Sequence, residues 1–375
     1  MKLTQKVGTA LFDEKPKRAA GSSRKTPEQE PNEFVDSFLA MMDRWHGHKE
    51  IWDDALDIQI LQNEVDVRST HKPKLAWGVK GTKYFSPSSA NSDARELFMK
   101  LIGSKRDEQP TPPHQGRWRR IGTAFGDLIQ KDLLFIEKHY KKEFGEHPPY
   151  KPEYIEIPSV KDPKDTKLFP SWEKFAQKIV WVDHKGYKIP ILGQPDGILR
   201  YLPQKGKRVG LEIKSKQTTA AQTSAYSMKE PKIDHVKQCI NYSIMYGTPE
   251  APLDDFIIVY GNLSKKAWVM SEEDYKKSPD LRAFHVHVTE KDRTQLLDFY
   301  AYVMESINTG FPPKLDLEKW TFNNFKTACI LSLSEEEIAE VTKQAKAYIN
   351  SSIPEWKKSS YKEALEFIEE VRKDA

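Results

Sequence analysis

Asp196, Glu212 and Lys214 are two carboxylates and an ammonium within one short stretch, ILGQPDGILRYLPQKGKRVGLEIKSK, from Ile191 to Lys216. The stretch reads as two strands around a turn, the first over Lys188–Tyr201 and the second beginning near Lys207. Pro203-Gln204-Lys205-Gly206 supplies turn chemistry, proline fixing φ and glycine admitting positive φ. With the turn centred on Gln204, antiparallel pairing sets Asp196 opposite Glu212. Directly opposed residues hold their Cβ atoms about 5 Å apart. Glu212 and Lys214 are two apart in a strand and share a face, while Leu211 and Ile213 turn toward a core. Two carboxylates that close repel unless a positive charge lies between them, and a hard divalent cation is the usual partner. A cation held so lowers the pKa of a bound water and neutralises charge on a phosphoryl oxygen. Lys214 would orient or deprotonate that water, or stabilise charge developing in the transition state. Phosphodiester hydrolysis needs these parts. Between Arg200 and Lys237 there are nine Lys/Arg against three Asp/Glu, a local excess that would draw a polyanion. A solvent-facing hairpin with alternating charges would show the same E-x-K, so the triplet alone leaves an ordinary surface open.

The elements around this hairpin must hold it in place. Arg117–Phe144 is the longest helical pattern, with a buried stripe expected at Ile121, Phe125, Leu128, Ile129, Leu133 and Ile136. Asp127, Gln130 and Lys131 share an adjoining face of that helix. Gly122 and Gly126, four apart, admit the close approach of another backbone or a ligand. The helix opens on Arg117-Trp118-Arg119-Arg120, suited to phosphate contact or stacking, and equally to a solvated helix end. Asp234–Gly247 predicts a helix closed by a glycine, with Gln238 and Tyr242 on one face. Further helices are expected over Pro31–Arg44, Lys49–Gln62, Asp93–Ile102, Glu290–Asn308, Ser334–Asn350 and Tyr361–Lys373. Strands are expected at Tyr154–Pro158, Ala176–Asp183, Phe256–Gly261, Lys266–Met270 and Phe284–Val288. Gln217–Glu230, polar and rich in small residues, reads as a mobile loop beside the hairpin. Pro73–Lys83 reads as a loop with a short strand.

Composition narrows the classes. Net charge is +4 over 375 residues, too mild by itself to prove a polyanionic partner. Two cysteines, Cys239 and Cys329, exclude a disulfide framework and a four-cysteine metal or iron–sulfur site within the chain. No apolar run approaches the roughly 20 residues that cross a bilayer, and the N-terminus has no long apolar core of a secretory signal. A cytoplasmic location is expected. His46 and His48 lack partners at ligand spacing and read as a structural loop, and His285 and His287 read as one face of an edge strand. Residues 1–30 carry seven Lys/Arg against four Asp/Glu and read as a flexible basic arm.

Several of these features fall in a known order. Pro195-Asp196 followed by Glu212-Ile213-Lys214, then Gln238-x-x-x-Tyr242, with Gly122-Thr123-Ala124 upstream, resembles the PD-(D/E)XK nucleases. The similarity is to their RecB-like exonuclease branch, often met in phages and in CRISPR adaptation nucleases. Phe85–Ile102 is similar to the serine-rich entry of such proteins, so the resemblance spans roughly Phe85–Trp268. It implies a restriction-endonuclease-like α/β core, a central mixed sheet flanked by helices, with helical N- and C-terminal additions. It implies Mg²⁺- or Mn²⁺-dependent DNA cleavage, with Asp196, Glu212 and the carbonyl of Ile213 as metal ligands and Lys214 as the catalytic lysine. Gln238, Tyr242, Gln130 and Lys216 are expected to position DNA. Many relatives carry a metal-binding histidine where Gly126 stands here, and Asp127, next in line, is the expected substitute. The iron–sulfur cluster of some relatives is expected to be absent.

The expected divisions are a basic arm at 1–30, a helical extension at 31–116, a nuclease core at 117–310 and a helical tail at 311–375. The expected function is an exonuclease in DNA recombination or replication, with DNA and a recombination or replication protein as partners and no membrane. If the chain is phage-encoded, its place is the host cytoplasm. A catalytically inert nuclease fold that binds DNA as a recombination accessory is the alternative.

Overall fold

The structure, a computed structural model, describes residues 32–70, 83–108, 110–158, 166–265 and 267–373. The basic arm and all but the last residue of the Pro73–Lys83 loop lie outside the described residues. In chain order the elements begin with α1 (Glu33–His46), α2 (Asp54–Thr70), α3 (Ala94–Ile102) and α4 (Pro113–Phe144). Seven strands follow: β1 (Tyr150–Pro152), β2 (Tyr154–Pro158), β3 (Thr166–Pro170), β4 (Lys178–His184), β5 (Tyr187–Gly193), β6 (Gly197–Tyr201) and β7 (Lys207–Lys216). Then come α5 (Ile233–Tyr246), β8 (Asp255–Asn262), α6 (Glu272–Lys277), β9 (Leu281–His287), α7 (Glu290–Thr309), α8 (Lys326–Leu331), α9 (Glu335–Ile349) and α10 (Glu355–Lys373).

The central sheet has the order β1-β6-β7-β8-β9. Neighbours are antiparallel except β7 and β8, which run parallel. A parallel pair needs a long crossover, and residues 217–254 with α5 supply it. Strand β8, DFIIVYGN, is buried at every position, as a central strand covered on both faces must be. The α/β class with a mixed sheet flanked by helices is therefore as expected.

The chain forms two compact units. The first takes the described residues within 1–78, 111–179 and 192–293. In it Asn32 caps α1, its Oδ1 accepting from the N–H groups of Phe34 and Val35 at 3.2 and 3.3 Å. Phe38, Met41 and Met42 of α1 are buried with Phe125, Ile129, Leu133 and Ile136 of α4 and with Leu211, Ile257 and Val259 of the sheet. Each such side chain contributes roughly 1.5–3 kcal/mol of burial. The second unit takes the described residues within 79–110, 180–191 and 294–375. There Asp93 caps α3 by accepting from the Glu96 N–H at 3.1 Å, and Arg95 donates to the Pro313 carbonyl at 2.6 Å and pairs with Glu337 at 2.7 Å. The expected 31–116 extension is thus shared, α1 and α2 belonging to the first unit and α3 to the second.

Four expectations need correction. The strand read over Lys188–Tyr201 is two strands: β5 pairs with β4 and bridges Phe85 through Ile191, and β6 joins the central sheet. Pro195 between them has no N–H to give a ladder. Strands β2 and β4 likewise lie in separate two-stranded ribbons, paired with β3 and β5. The expected strand at Lys266–Met270 contains a 3₁₀ turn over Ala267–Val269. On α4, Ile121 and Leu128 are half exposed, because a helix that meets the core along one narrow side cannot bury residues a full step around it. Among the described residues no helix is long and apolar enough to cross a membrane.

Candidate active site

The β6–β7 ladder runs from Tyr201↔Lys207 to Gly197↔Leu211. These pairs centre on Gln204, and one further step of the register sets Asp196 opposite Glu212. The turn is made by a 3₁₀ segment, Leu202–Gln204, with Lys205 at φ 53° and Gly206 at φ 75°. Asp196 stands in the break before β6, where its side chain is free of the pleat. Its Oδ2 accepts the Ile213 N–H at 2.6 Å, which ties the two strands at the site. From the α4 side, Gln130 donates its Nε2 to the Asp196 carbonyl at 2.8 Å. The expected DNA-facing role of Gln130 therefore gives way to an internal one: it is 3% exposed and holds the backbone of Asp196.

Glu212 is 1% exposed and forms an ion pair with Lys214 through Oε1. Its other oxygen, Oε2, is buried with no hydrogen-bond partner. Burial and then the charge of Asp196 push the Glu212 carboxyl up from its ordinary value. Burial also pushes Asp196 up, against the opposing pull of Lys214 and the Ile213 N–H. Burial would lower the Lys214 ammonium, but Glu212 and Asp196 outweigh it and raise it. One ammonium thus faces two desolvated carboxylates. This donor set, with an orphaned oxygen, fits a hard cation that takes one or two carboxylates and keeps several waters. Among the described residues no group of three or more His, Cys, Asp or Glu side chains is placed to hold a metal ion.

Asp127 does not complete the set. Its carboxylate pairs with Lys174 at 2.9 Å, and Lys174 also pairs with Glu64 at 2.9 Å. The acidic neighbour that sequence reading missed is Glu173, in the turn after β3. Burial, then Asp196, then Asp127 raise its carboxyl. The turn is placed by backbone bonds, Ser171 N–H to the Glu153 carbonyl at 2.8 Å and Ile198 N–H to the Ser171 carbonyl at 3.0 Å. Nothing in the local sequence Ser171-Trp172-Glu173-Lys174 marks that approach.

Helix α5 closes the site from the other side. Tyr242 is buried, and its hydroxyl is pushed up by burial and then by Glu212 and Asp196. It therefore lies beneath the carboxylates and is not open to a strand of DNA. Gln238, one turn earlier, is partly exposed. Cys239 is fully buried and lies in the field of Glu212, which with burial raises its thiol well above its ordinary value. Gly122 of α4 comes close to the end of β7, since a Cβ there would meet Ser215 Oγ at 2.8 Å, while Gly126 faces open space. Beside it the Trp118 carbonyl accepts from Gln217 Nε2 at 3.2 Å, so the Arg117–Arg120 cluster borders the C-terminal end of β7. The segment after β7 is pinned, with Asn262 donating to the carbonyls of Thr219 and Ala220 at 3.1 Å.

The histidines weighed from the sequence as metal ligands meet carboxylates, His48 among them with Glu143 at 3.7 Å. His285 and His287 both meet Asp255 Oδ1, at 2.8 and 3.0 Å, and His46 meets Asp132 at 3.1 Å.

No family model and no curated protein matches the chain. Among solved structures it is similar to one titled as the crystal structure of SSO0001, at 12% identity and a TM-score of 0.33, over 76% of this chain and 100% of that one. It is also similar to an alkaline exonuclease, LHK-Exo, from Laribacter hongkongensis, at 13% identity and a TM-score of 0.31, over 61% of this chain and 91% of that one. The same exonuclease in complex with dAMP gives 12% identity and a TM-score of 0.31. Superpositions this loose do not establish a shared fold.

Proposed function

We propose that the protein is a metal-dependent deoxyribonuclease of the PD-(D/E)XK type, an exonuclease acting in DNA recombination or replication. One observation carries this reading: Asp196 is tied to the Ile213 N–H and Glu212 pairs with Lys214, with the buried Glu212 Oε2 left without a partner. Asp196, Glu212 and the Ile213 carbonyl would hold Mg²⁺ or Mn²⁺. When bound, such a cation supplies an acidified water and charge neutralisation at the phosphoryl group. The chain's own residues do the rest. Lys214, kept charged by its two carboxylates, stabilises negative charge gathering on the phosphoryl oxygens and orients the attacking water. Gln130 and the Ile213 N–H fix Asp196 from two sides, so its carboxylate need not reorganise during the reaction. Burial of Glu212 and Tyr242 keeps bulk water from screening these charges. A cytoplasmic setting belongs to the same reading, the host's cytoplasm if the chain is phage-encoded.

The test is digestion of end-labelled linear and single-stranded DNA by wild type and Asp196→Ala, with Mg²⁺ and with Mn²⁺. Shortening from one end by wild type, lost in the variant and in EDTA, is the expected result. Intact DNA with both metals would sink the enzyme reading. A second reading then takes over, an inert nuclease fold that binds DNA as an accessory. The ion pair of Asp127 with Lys174 favours it, since α4 then offers no third ligand beside Gly126.

A further inference from the structure

Asp196 stands on a stretch of backbone outside any strand. Strand β5 ends at Gly193 and β6 begins at Gly197, so Gln194, Pro195 and Asp196 lie between them. Proline also removes one of the N–H groups that could anchor the break. A carboxylate that is to meet a cation in one place needs its backbone fixed by other means. Two ties act on Asp196 itself, the Gln130 side chain and the Ile213 N–H. The approach to it, from Gly193 onward, is held by another residue.

That residue is Tyr246, the last of α5 and one turn beyond Tyr242. Its hydroxyl lies against two carbonyls at once, that of Gly193 at 3.0 Å and that of Ala176. A phenol has one proton to donate, so the two carbonyls share it. Gly193 opens the break. Ala176 closes the turn that begins at Ser171, with its own N–H on the Trp172 carbonyl at 2.8 Å. Next to it Gln177 Nε2 donates to Gln194 Oε1 at 2.5 Å. The other end of the same turn is fastened beyond Asp196, where the Ile198 N–H donates to the Ser171 carbonyl at 3.0 Å. Tyr246 reaches that end too, through its backbone. Its carbonyl accepts from Arg208 at 2.9 Å, and Arg208 grips the Glu153 carboxylate at 2.8 and 2.9 Å. The Glu153 carbonyl in turn accepts the Ser171 N–H at 2.8 Å. One residue thus ties the turn at both ends, and the turn ties the chain on both sides of Asp196.

We propose that Tyr246 is a positioning residue for Asp196, its hydroxyl fixing where the Asp196 carboxylate can meet a divalent cation. The cation rests on the function proposed above, whereas the network of hydrogen bonds does not. Among the described residues the Tyr246 hydroxyl bonds only to backbone carbonyls, so it acts through the chain that carries Asp196. The ring has other tasks. It is 9% exposed, meets Tyr242 edge-on with centroids 6.4 Å apart, and carries the Lys178 ammonium 4.3 Å from its centre. A phenylalanine would keep that packing and lose only the hydroxyl, which separates positioning from packing. Removing a group that orients a metal ligand costs roughly 10- to 100-fold in metal affinity. Here the influence passes through backbone, which places it at the lower end of that range.

The test is Mn²⁺ binding by the full chain, read as loss of the free-ion EPR signal, for wild type, Tyr246→Phe and Tyr150→Phe, with melting curves to establish folding. Tyr150 is the control, since it is buried and its hydroxyl donates to the Phe34 carbonyl of α1 at 2.8 Å. Tyr246→Phe should raise the Mn²⁺ dissociation constant about tenfold. Tyr150→Phe should leave it unchanged, although both variants lose a buried hydrogen bond. In DNA digestion the same split should appear as a higher Mn²⁺ requirement for Tyr246→Phe, with the maximal rate recovered at saturating metal. If Tyr246→Phe melts before it can be titrated, Gln177→Ala, which cuts the neighbouring tie to Gln194, takes its place and must show the same shift. Unchanged Mn²⁺ affinity in Tyr246→Phe, or an equal loss in Tyr150→Phe, overturns the role even if wild type cleaves DNA. The expected shift in a protein that binds Mn²⁺ but leaves DNA intact keeps the role and removes the nuclease reading. A wild type that takes up no Mn²⁺ removes both.

Discussion

At Lys214 a single ammonium answers two carboxylates, so its removal leaves both without compensation. Lys214→Met should lower the cleavage rate by about 10²- to 10³-fold with little change in DNA affinity, measured by single-turnover digestion and by binding in EDTA. Equal losses in rate and affinity would instead make the lysine a binding group. A second charged centre bears on stability. Asp255 is 3% exposed and accepts from His285 and His287 while pairing with Lys207 at 2.6 Å. Burial would raise its carboxyl, but these partners hold it well below the usual carboxylate range. A depressed folded value stabilises fully above the unfolded pKa of about 3.9 and is lost as pH falls toward the folded value. Asp255→Asn should therefore cost about 2 kcal/mol in urea denaturation at pH 7 and clearly less at pH 3. A gap that widens in acid would refute the assignment.

Among elements, α4 and the β6–β7 hairpin decide where the chemistry stands. The helix meets the sheet through Phe125, whose ring occupies the space a Cβ at Gly261 would need, only 2.1 Å from its nearest atom. Gly261→Ala should destabilise by about 1–3 kcal/mol through overpacking, read as a lower thermal midpoint. Gly126→Ala has open space and helical backbone, so it should stabilise by about 0.5–1 kcal/mol. Together the two substitutions distinguish a glycine kept for packing from one that packing does not explain. The hairpin register was legible because a turn of proline and glycine flanked by strand-forming residues fixes pairing locally. The break at Pro195 carried a legible signal as well, since a proline without an N–H interrupts a ladder.

Across the whole molecule, the two units draw on segments distant in the chain, so each rests on long-range pairs. In the second unit Arg95 is 1% exposed and joins α3 to Pro313 and Glu337. Arg95→Ala leaves the Glu337 carboxylate without its partner and should cost about 3 kcal/mol. Hydrogen exchange should show the loss as faster exchange over 93–102 and 313–350; unchanged exchange there would show that the pair carries no stability.

What the sequence determined alone is what short-range chemistry controls. Turn residues set the hairpin register, period-two alternation put Glu212 and Lys214 on one face, and a glycine ended α5. Helix periodicity found α1, α4 and α5 to within a few residues. Only the tertiary structure decided which side chains outside the hairpin reach it. Gln130 turned inward to the Asp196 backbone, Asp127 was taken by Lys174, and Glu173 arrived on a turn held by bonds to Glu153 and Ile198. Such meetings depend on where separate elements pack and on which of several nearby charges pairs first. Neither leaves a periodic or compositional trace along the chain.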